Sequence, residues 1–297
     1  MDLPFLARPV CLPVLARLWR PRHTGKIAFA REMAEAIAAR HPDRLIHTVG
    51  DAAYVGEHLR GLHPQITWMS RLKVTSVLHD LAPARTGQSG RPRTKGARLG
   101  TPADLAATAI WRTTRVRRYG RTDTVQVTDI VCLWYGSFHR RTVRVVLVRD
   151  NKPRTTDRGY GLPLVTTDLT STAEDLVTRY ASRWSIEVAF SDARQILGVG
   201  QARNRTRQSV LRTVPFGLIC LSLVTLWYAA AGHAPADVAE RRSQSRWYTT
   251  KTEPSFEDMT IKLRRVIIAA RFRPPAPHQA SPEETRAVLL AWAAAET

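Results

Sequence analysis

Residues 179–198 read RYASRWSIEVAFSDARQILG. They lie inside the longest run with helical spacing of apolar positions, 172–197, and that spacing predicts one helix. Tyr180, Arg183, Glu187 and Arg194 are separated along it by three, four and seven residues. Such intervals put all four on one helix face. An Arg and a Glu there can be read in two ways. One is an intrahelical Arg183–Glu187 pair on a solvated face, worth a few tenths of a kcal/mol. The other is a face that would otherwise carry a core stripe, so that its charges need partners.

Upstream of this helix, residues 24–39 have apolar positions at helical spacing, with Thr24 as a cap. A short strand, 44–49, ends at Gly50-Asp51, and 52–62 reads as a second helix. Residues 65–72 (QITWMSRL) read as a strand. This α–β–α–β order builds a sheet covered by helices. The first twenty residues are apolar and punctuated by Pro4, Pro9 and Pro13, an irregular arm or edge strand. Periodicity disappears over 80–100, where GQSGRPRTKGARLG reads as a loop. Residues 110–118, 124–134 and 142–149 predict three antiparallel strands, and 162–167 a further one. Helices are expected at 209–230, 256–270 and 282–295. There is no internal repeat.

Composition narrows the function. The chain has 297 residues, 44% of them apolar, with 45 Lys+Arg against 25 Asp+Glu and a net charge of +20. It can bury a core and is not disordered on composition. About 40 of the basic residues are Arg, the residue of bidentate phosphate forks. Such an excess favours nucleic acid over an indifferent basic surface. Residues 85–121 hold ten Lys/Arg and one acid, Asp104. Phosphate contact is expected there, through Arg91, Arg93, Lys95 and Arg98. Trp111, Tyr119, Trp134 and Tyr135 interleave with these charges as stacking platforms or as core aromatics, the core reading being favoured for Trp134. Cys11, Cys132 and Cys220 are odd in number and far apart, which excludes a disulfide framework and a Cys-based zinc site. A reducing cytoplasm fits them. The histidines form no ligand spacing.

No secretory signal opens the sequence. Residues 213–231 (TVPFGLICLSLVTLWYAAA) are uncharged and long enough to span a bilayer. Both flanks are basic, so no orientation follows. A buried helix in a soluble protein is expected, with a membrane-associated basic protein as the other reading.

The spacing Tyr-x2-Arg-x3-Glu-x6-Lys around Glu187 resembles the signature of insertion-sequence transposases of the DDE superfamily. Arg194 stands at the position of the Lys, keeping the charge and changing its shape. VGDAAYVGEHLRGL, WMSRLKVTSVLHDLAP, GRPRTKGARLG, LVTTDL and WYTTKTEPSFEDM are similar to segments of actinobacterial members of that group, so the resemblance runs over nearly the whole chain. It implies an α/β fold with a ribonuclease-H-like core, a β-rich insertion and a helical C-terminal tail. The expected division is 1–75 and 161–232 for the core, 76–160 for the basic insertion and 233–297 for the tail. It also implies carboxylates around two Mg2+ or Mn2+ ions that clamp an in-line phosphoryl displacement. Glu187 matches the final acid and Asp51 the second, although Asp alone at such a position reads as a helix N-cap. Tyr180, Arg183 and Arg194 would hold the DNA backbone near the scissile phosphate. The implied partners are double-stranded DNA (transposon ends and target) and further copies of the chain on DNA, with no membrane, in a bacterial cytoplasm at the nucleoid.

One feature departs from the family pattern. Its first catalytic Asp belongs on a strand well ahead of the second. The acids before Asp51 are Asp2, Glu32, Glu35 and Asp43, and none follows a predicted strand. The sequence reads as beginning partway through the catalytic core. The expectation is a transposase inactive on its own, or alternatively a DNA-binding remnant without chemistry.

Overall fold

The computed structural model describes residues 1–84, 91–150, 158–245, 247–271 and 281–294. Two compact units divide them, one of residues 17–184 and one of residues 1–16 with 185–297.

The first unit is built on β-branched runs. Helix α1 (Lys26–Arg40) is rich in Ala, Glu and Arg and lays Ala34 and Ala38 on the core. Strand β1 (Ile46–Val49) pairs in parallel with β2 (Ile66–Arg71), Ile46 opposite Ile66. The helix expected over 52–62 does not form. A single 3-10 turn, Glu57–Leu59, stands there, bracketed by Gly56 and Gly61, whose positive φ angles (+156° and +67°) end the run on either side. Arg31 of α1 fastens this turn by donating to the carbonyls of His58, Arg60 and Gly61.

Beyond a short β3 (Leu78–His79), β4 (Arg98–Gly100) forms inside the stretch expected to be loop and pairs with β3. Helix α2 (Pro102–Thr108) follows, opened by a capping box between Thr101 and Asp104 and by Pro at its first position. The three expected antiparallel strands are present as β5 (Arg112–Arg118), β6 (Arg121–Leu133) and β7 (Thr142–Asp150), with the one-turn helix α3 (Tyr135–Phe138) before β7. Tyr119 and Gly120 join β5 to β6 with φ of +55° and +81°, the two positive values that a tight hairpin turn requires. Strand β8 (Leu162–Thr166) lies between β7 and β2, antiparallel to both. The sheet order is β1-β2-β8-β7-β6-β3-β4, with β5 paired to β6. Among the described residues no strand pairs with the outer side of β1.

Alternation along these strands fills both faces. Trp68, Val145, Leu147 and Val165 pack with Leu59, Leu62 and Phe138 on one side. Met69, Val146, Val148 and Leu164 pack on the other with Leu176 and Val177 of α4 (Ala173–Ser182). Each such aliphatic side chain contributes roughly 1.5–3 kcal/mol by leaving water.

Helix α4 is held to β5 by a bidentate pair, Arg112 donating to both carboxyl oxygens of Glu174. That hydrogen bond, helped by Thr114, holds the Glu174 carboxyl at about 2 against the opposing effect of burial. A carboxylate with a depressed pKa stabilises the fold above its unfolded value, near 4.3, and the contribution disappears as pH falls towards the folded value. Glu174→Gln is therefore expected to flatten the acid limb of stability between about pH 4 and 2, measured by urea unfolding at a series of pH values. Because half of Arg112 is exposed, the loss at neutral pH should stay below about 1 kcal/mol.

The second unit is helical: α5 (Ser185–Gln195), α6 (Arg207–Trp227), α7 (Asp237–Gln244), α8 (Phe256–Arg271) and α9 (Pro282–Ala294). Residues 1–16 contain neither helix nor strand. Phe5 stacks on His233 at 4.1 Å, and the Pro13 carbonyl accepts from Ser222 of α6. The apolar helix, expected to be buried, is covered on one face only. Leu218, Leu221, Ser222 and Thr225 are buried, while Phe216, Ile219, Leu223 and Leu226 are exposed.

The helix expected over 172–197 is two helices, α4 and α5, interrupted at Arg183 and Trp184. The break has a local cause. Arg183 N–H reaches back to Tyr180 O and Trp184 N–H to Ala181 O, three-residue bonds that tighten and end α4. Ser182 Oγ adds a bond to the Thr178 carbonyl, a contact that bends helices.

Candidate active site and nucleic-acid surface

Asp51 stands two residues beyond β1, at the C-terminal end of the parallel pair. Gly50 N–H donates to Met69 O and carries the ladder one residue past the strand. A Cβ on Gly50 would lie 2.8 Å from Tyr54 Cβ, so only glycine lets the chain turn this closely. Asp51 opens no helix, contrary to expectation. It is exposed, and its Oδ1 accepts from Ala53 N–H at 2.8 Å, closing a turn. Among the described residues Oδ2 accepts no hydrogen bond.

The other carboxylate expected from the sequence, Glu187, is exposed in the first turn of α5. Arg194, two turns on, is exposed as well and donates from Nε to Phe190 O at 3.2 Å. Tyr180 and Arg183 lie at the end of α4, with the guanidinium 5.7 Å from the ring centroid. Tyr180 lies on α4, Arg183 at its C-cap, and Glu187 and Arg194 on α5, so the four are not on one continuous helix. Asp51 belongs to the first unit and Glu187 to the second. Among the described residues no three or more His, Cys, Asp or Glu side chains cluster so as to hold a metal.

Sequence reasoning missed Asp168. It follows β8 and is nearly fully buried. Its Oδ1 accepts from Thr170 N–H and Oγ1 and from Ser171 N–H, at 3.0–3.1 Å. Its Oδ2 accepts from Ser171 Oγ at 2.6 Å and Arg179 Nη1 at 2.7 Å. Burial pushes its pKa up, but Ser171, Arg179 and the backbone N–H groups outweigh that and hold it far below the usual carboxylate range. A carboxylate has about four lone-pair sites. These donors occupy that capacity, so Asp168 fixes the entry to α4 and is not placed to ligate a cation. His47 Nδ1 approaches Asp168 to 3.7 Å. Burial, then the Arg179 charge, lower its pKa against the opposing pull of Asp168, and Nδ1 shares a hydrogen bond with Thr67 Oγ1 at 2.7 Å.

Arg91, Arg93, Lys95 and Arg98 are exposed on the segment that ends in β4. None of the four forms an ion pair among the described residues. Lys95 lies 5.3 Å from the Tyr135 ring centroid and donates to His79 Nε2 at 3.1 Å. Of the interleaved aromatics, Trp134 is buried, Trp111 lies under Arg149 at 4.1 Å, and Tyr119 is exposed at the tip of the hairpin.

The family model of the Transposase DDE domain matches residues 11–223, well over half of the chain. No curated protein matches it.

Proposed function

The chain belongs to the DDE transposase family, and from that premise we propose that it binds DNA as an insertion-sequence transposase, with Asp51 and Glu187 as ligands of its catalytic metals. The family acts on DNA, generally uses divalent metal ions and is typically cytoplasmic. The mixed α/β sheet is consistent with a ribonuclease-H-like fold.

The observation that supports the assignment is the placement of Asp51 at the C-terminal end of a parallel strand, its Oδ2 accepting no hydrogen bond among the described residues. Carboxylate oxygen is the donor that Mg2+ or Mn2+ requires. The ions would supply Lewis acidity to the attacking and leaving oxygens. Asp51 and Glu187 would hold them, Tyr180, Arg183 and Arg194 would orient the DNA backbone, and Arg91, Arg93, Lys95 and Arg98 would track phosphates farther along. Assembly into homo-oligomers on transposon ends and work at the nucleoid belong to the same proposal.

A third carboxylate is harder to find. Glu32 and Glu35 lie on α1 and pair with Arg17 and Arg31, Asp43 sits in the turn after α1, and Asp168 is saturated. This favours DNA binding without completed cleavage by the chain in hand. Purified protein is expected to retard duplex DNA carrying the element's ends and to leave supercoiled DNA uncut in Mg2+ or Mn2+. Metal-dependent nicking abolished by both Asp51→Ala and Glu187→Ala would show that another carboxylate completes the set.

A further inference from the structure

At the end of the parallel pair opposite Asp51, before the first residue of β2, the surface opens into a recess of about 540 Å3. Leu62 and Phe138 contribute apolar lining, and the guanidinium groups of Arg60, Arg140 and Arg141 contribute its charge, with the His139 ring beside them. β2 has six residues, so roughly 20 Å separate the two ends at about 3.3 Å per residue.

The recess is electrostatically unfinished. Arg141 is half-buried, and its guanidinium reaches two backbone carbonyls by long bonds, Leu62 O at 3.5 Å and Ile66 O at 3.3 Å. Among the described residues no carboxylate pairs with it. Burial alone lowers its pKa, the mark of a desolvated cation without a counter-charge. Arg60 is pinned beside it by a 2.9 Å bond to Gly136 O. The nearest acid to Arg60, Glu57, stands 3.8 Å away and is 73% exposed. His139 takes φ +55°, turning the chain so that three consecutive basic residues follow the end of α3. A preformed cationic recess with one cation already desolvated calls for an anion that can accept from planar guanidinium forks.

We propose that this recess is a phosphate-binding site that takes a DNA backbone phosphodiester at a point remote from Asp51. The proposal rests on the reading of the chain as a DNA-binding transposase and adds a second anchoring point to it. Such a site gives no base readout; it fixes where the duplex lies relative to the reacting end.

The test is duplex binding by fluorescence anisotropy from 50 to 200 mM salt. It compares wild type, the exposed double variant Arg60→Ala/Arg140→Ala, and Arg141→Gln, each checked for an unchanged unfolding midpoint. The double variant is expected to lose about 1.8 from the log–log salt slope, two contacts at about 0.9 each. Should Arg141→Gln fail to fold, the double variant alone decides. Wild-type binding with an unaltered slope in the double variant would overturn the recess while leaving DNA binding intact. No duplex binding by wild type would overturn both. Inorganic phosphate is titrated in parallel by 31P NMR. Binding of the free ion to wild type only, with DNA affinity the same in all variants, would assign the recess to a soluble phosphate and also overturn the proposal.

Discussion

Asp168→Asn is expected to destabilise the unit formed by residues 17–184 by about 3–5 kcal/mol, the range for breaking a buried ion pair from one side. The Asp168 side chain is 1% exposed and that of Arg179 23% exposed. An Asn of the same shape keeps one carbonyl oxygen for the turn. It faces Arg179 and Ser171 with either an amide NH2, a donor against donors, or an uncharged oxygen. The guanidinium then stays partly desolvated without its counter-charge. The sign of the pH dependence follows from the depressed pKa. The stabilisation is complete at neutral pH and is lost as pH falls below the ordinary carboxylate range. Urea unfolding of the full chain at pH 7 and at about pH 2, well below the ordinary carboxylate range, checks both statements. A loss below about 1 kcal/mol at pH 7 would mean that solvent reaches Asp168 and that the bonds to Ser171 and Arg179 are not formed.

The second large effect concerns affinity. Replacing Arg91, Arg93, Lys95 and Arg98 together by Ala should reduce the salt slope of duplex binding by up to about 3.6, four phosphates at about 0.9 each. Over a fourfold rise in salt, from 50 to 200 mM, that slope corresponds to roughly a 150-fold difference in retained affinity. The structure makes the variant benign to fold. All four side chains are exposed, and only Lys95 has a described polar partner, the His79 imidazole. An unchanged slope would move the DNA path away from the β3–β4 edge of the sheet.

Much of this architecture is written in short-range patterns. The runs that became β2, β6 and β7 are β-branched and bounded by turns, and α1 and α8 keep a helical period throughout. The position of Asp51 at the end of a strand was legible for the same reason. Other features depend on information that periodicity does not carry. The break at Arg183 and Trp184 involves neither Gly nor Pro, only three-residue hydrogen bonds and one Ser hydroxyl. Strands β3 and β4 have two and three residues, too few to show an alternation. Helix α2 was missed despite its Thr-x-x-Asp cap, because seven residues between Gly100 and Trp111 hold little apolar pattern. Apolar spacing over 52–62 predicts a helix, but Gly56 and Gly61, with their positive φ angles, limit it to one turn. Asp168 was invisible because its role is tertiary. In Thr-Thr-Asp-Leu-Thr it looks like a turn residue, and its burial depends on Arg179, eleven positions later.

The outer side of β1 has a consequence for handling the protein. Among the described residues no strand pairs with that side, and a strand without Pro, Lys or Glu whose backbone groups are unpaired can template the addition of another strand. Two copies meeting there would satisfy each other by the same patch on both, a closed two-fold arrangement. That pairing would run through His47 and Thr48 and end beside Asp51, so crowding the protein would screen its candidate ligand from DNA. Specific binding per molecule would then decline as stock concentration rises, a loss of titre easily mistaken for misfolding.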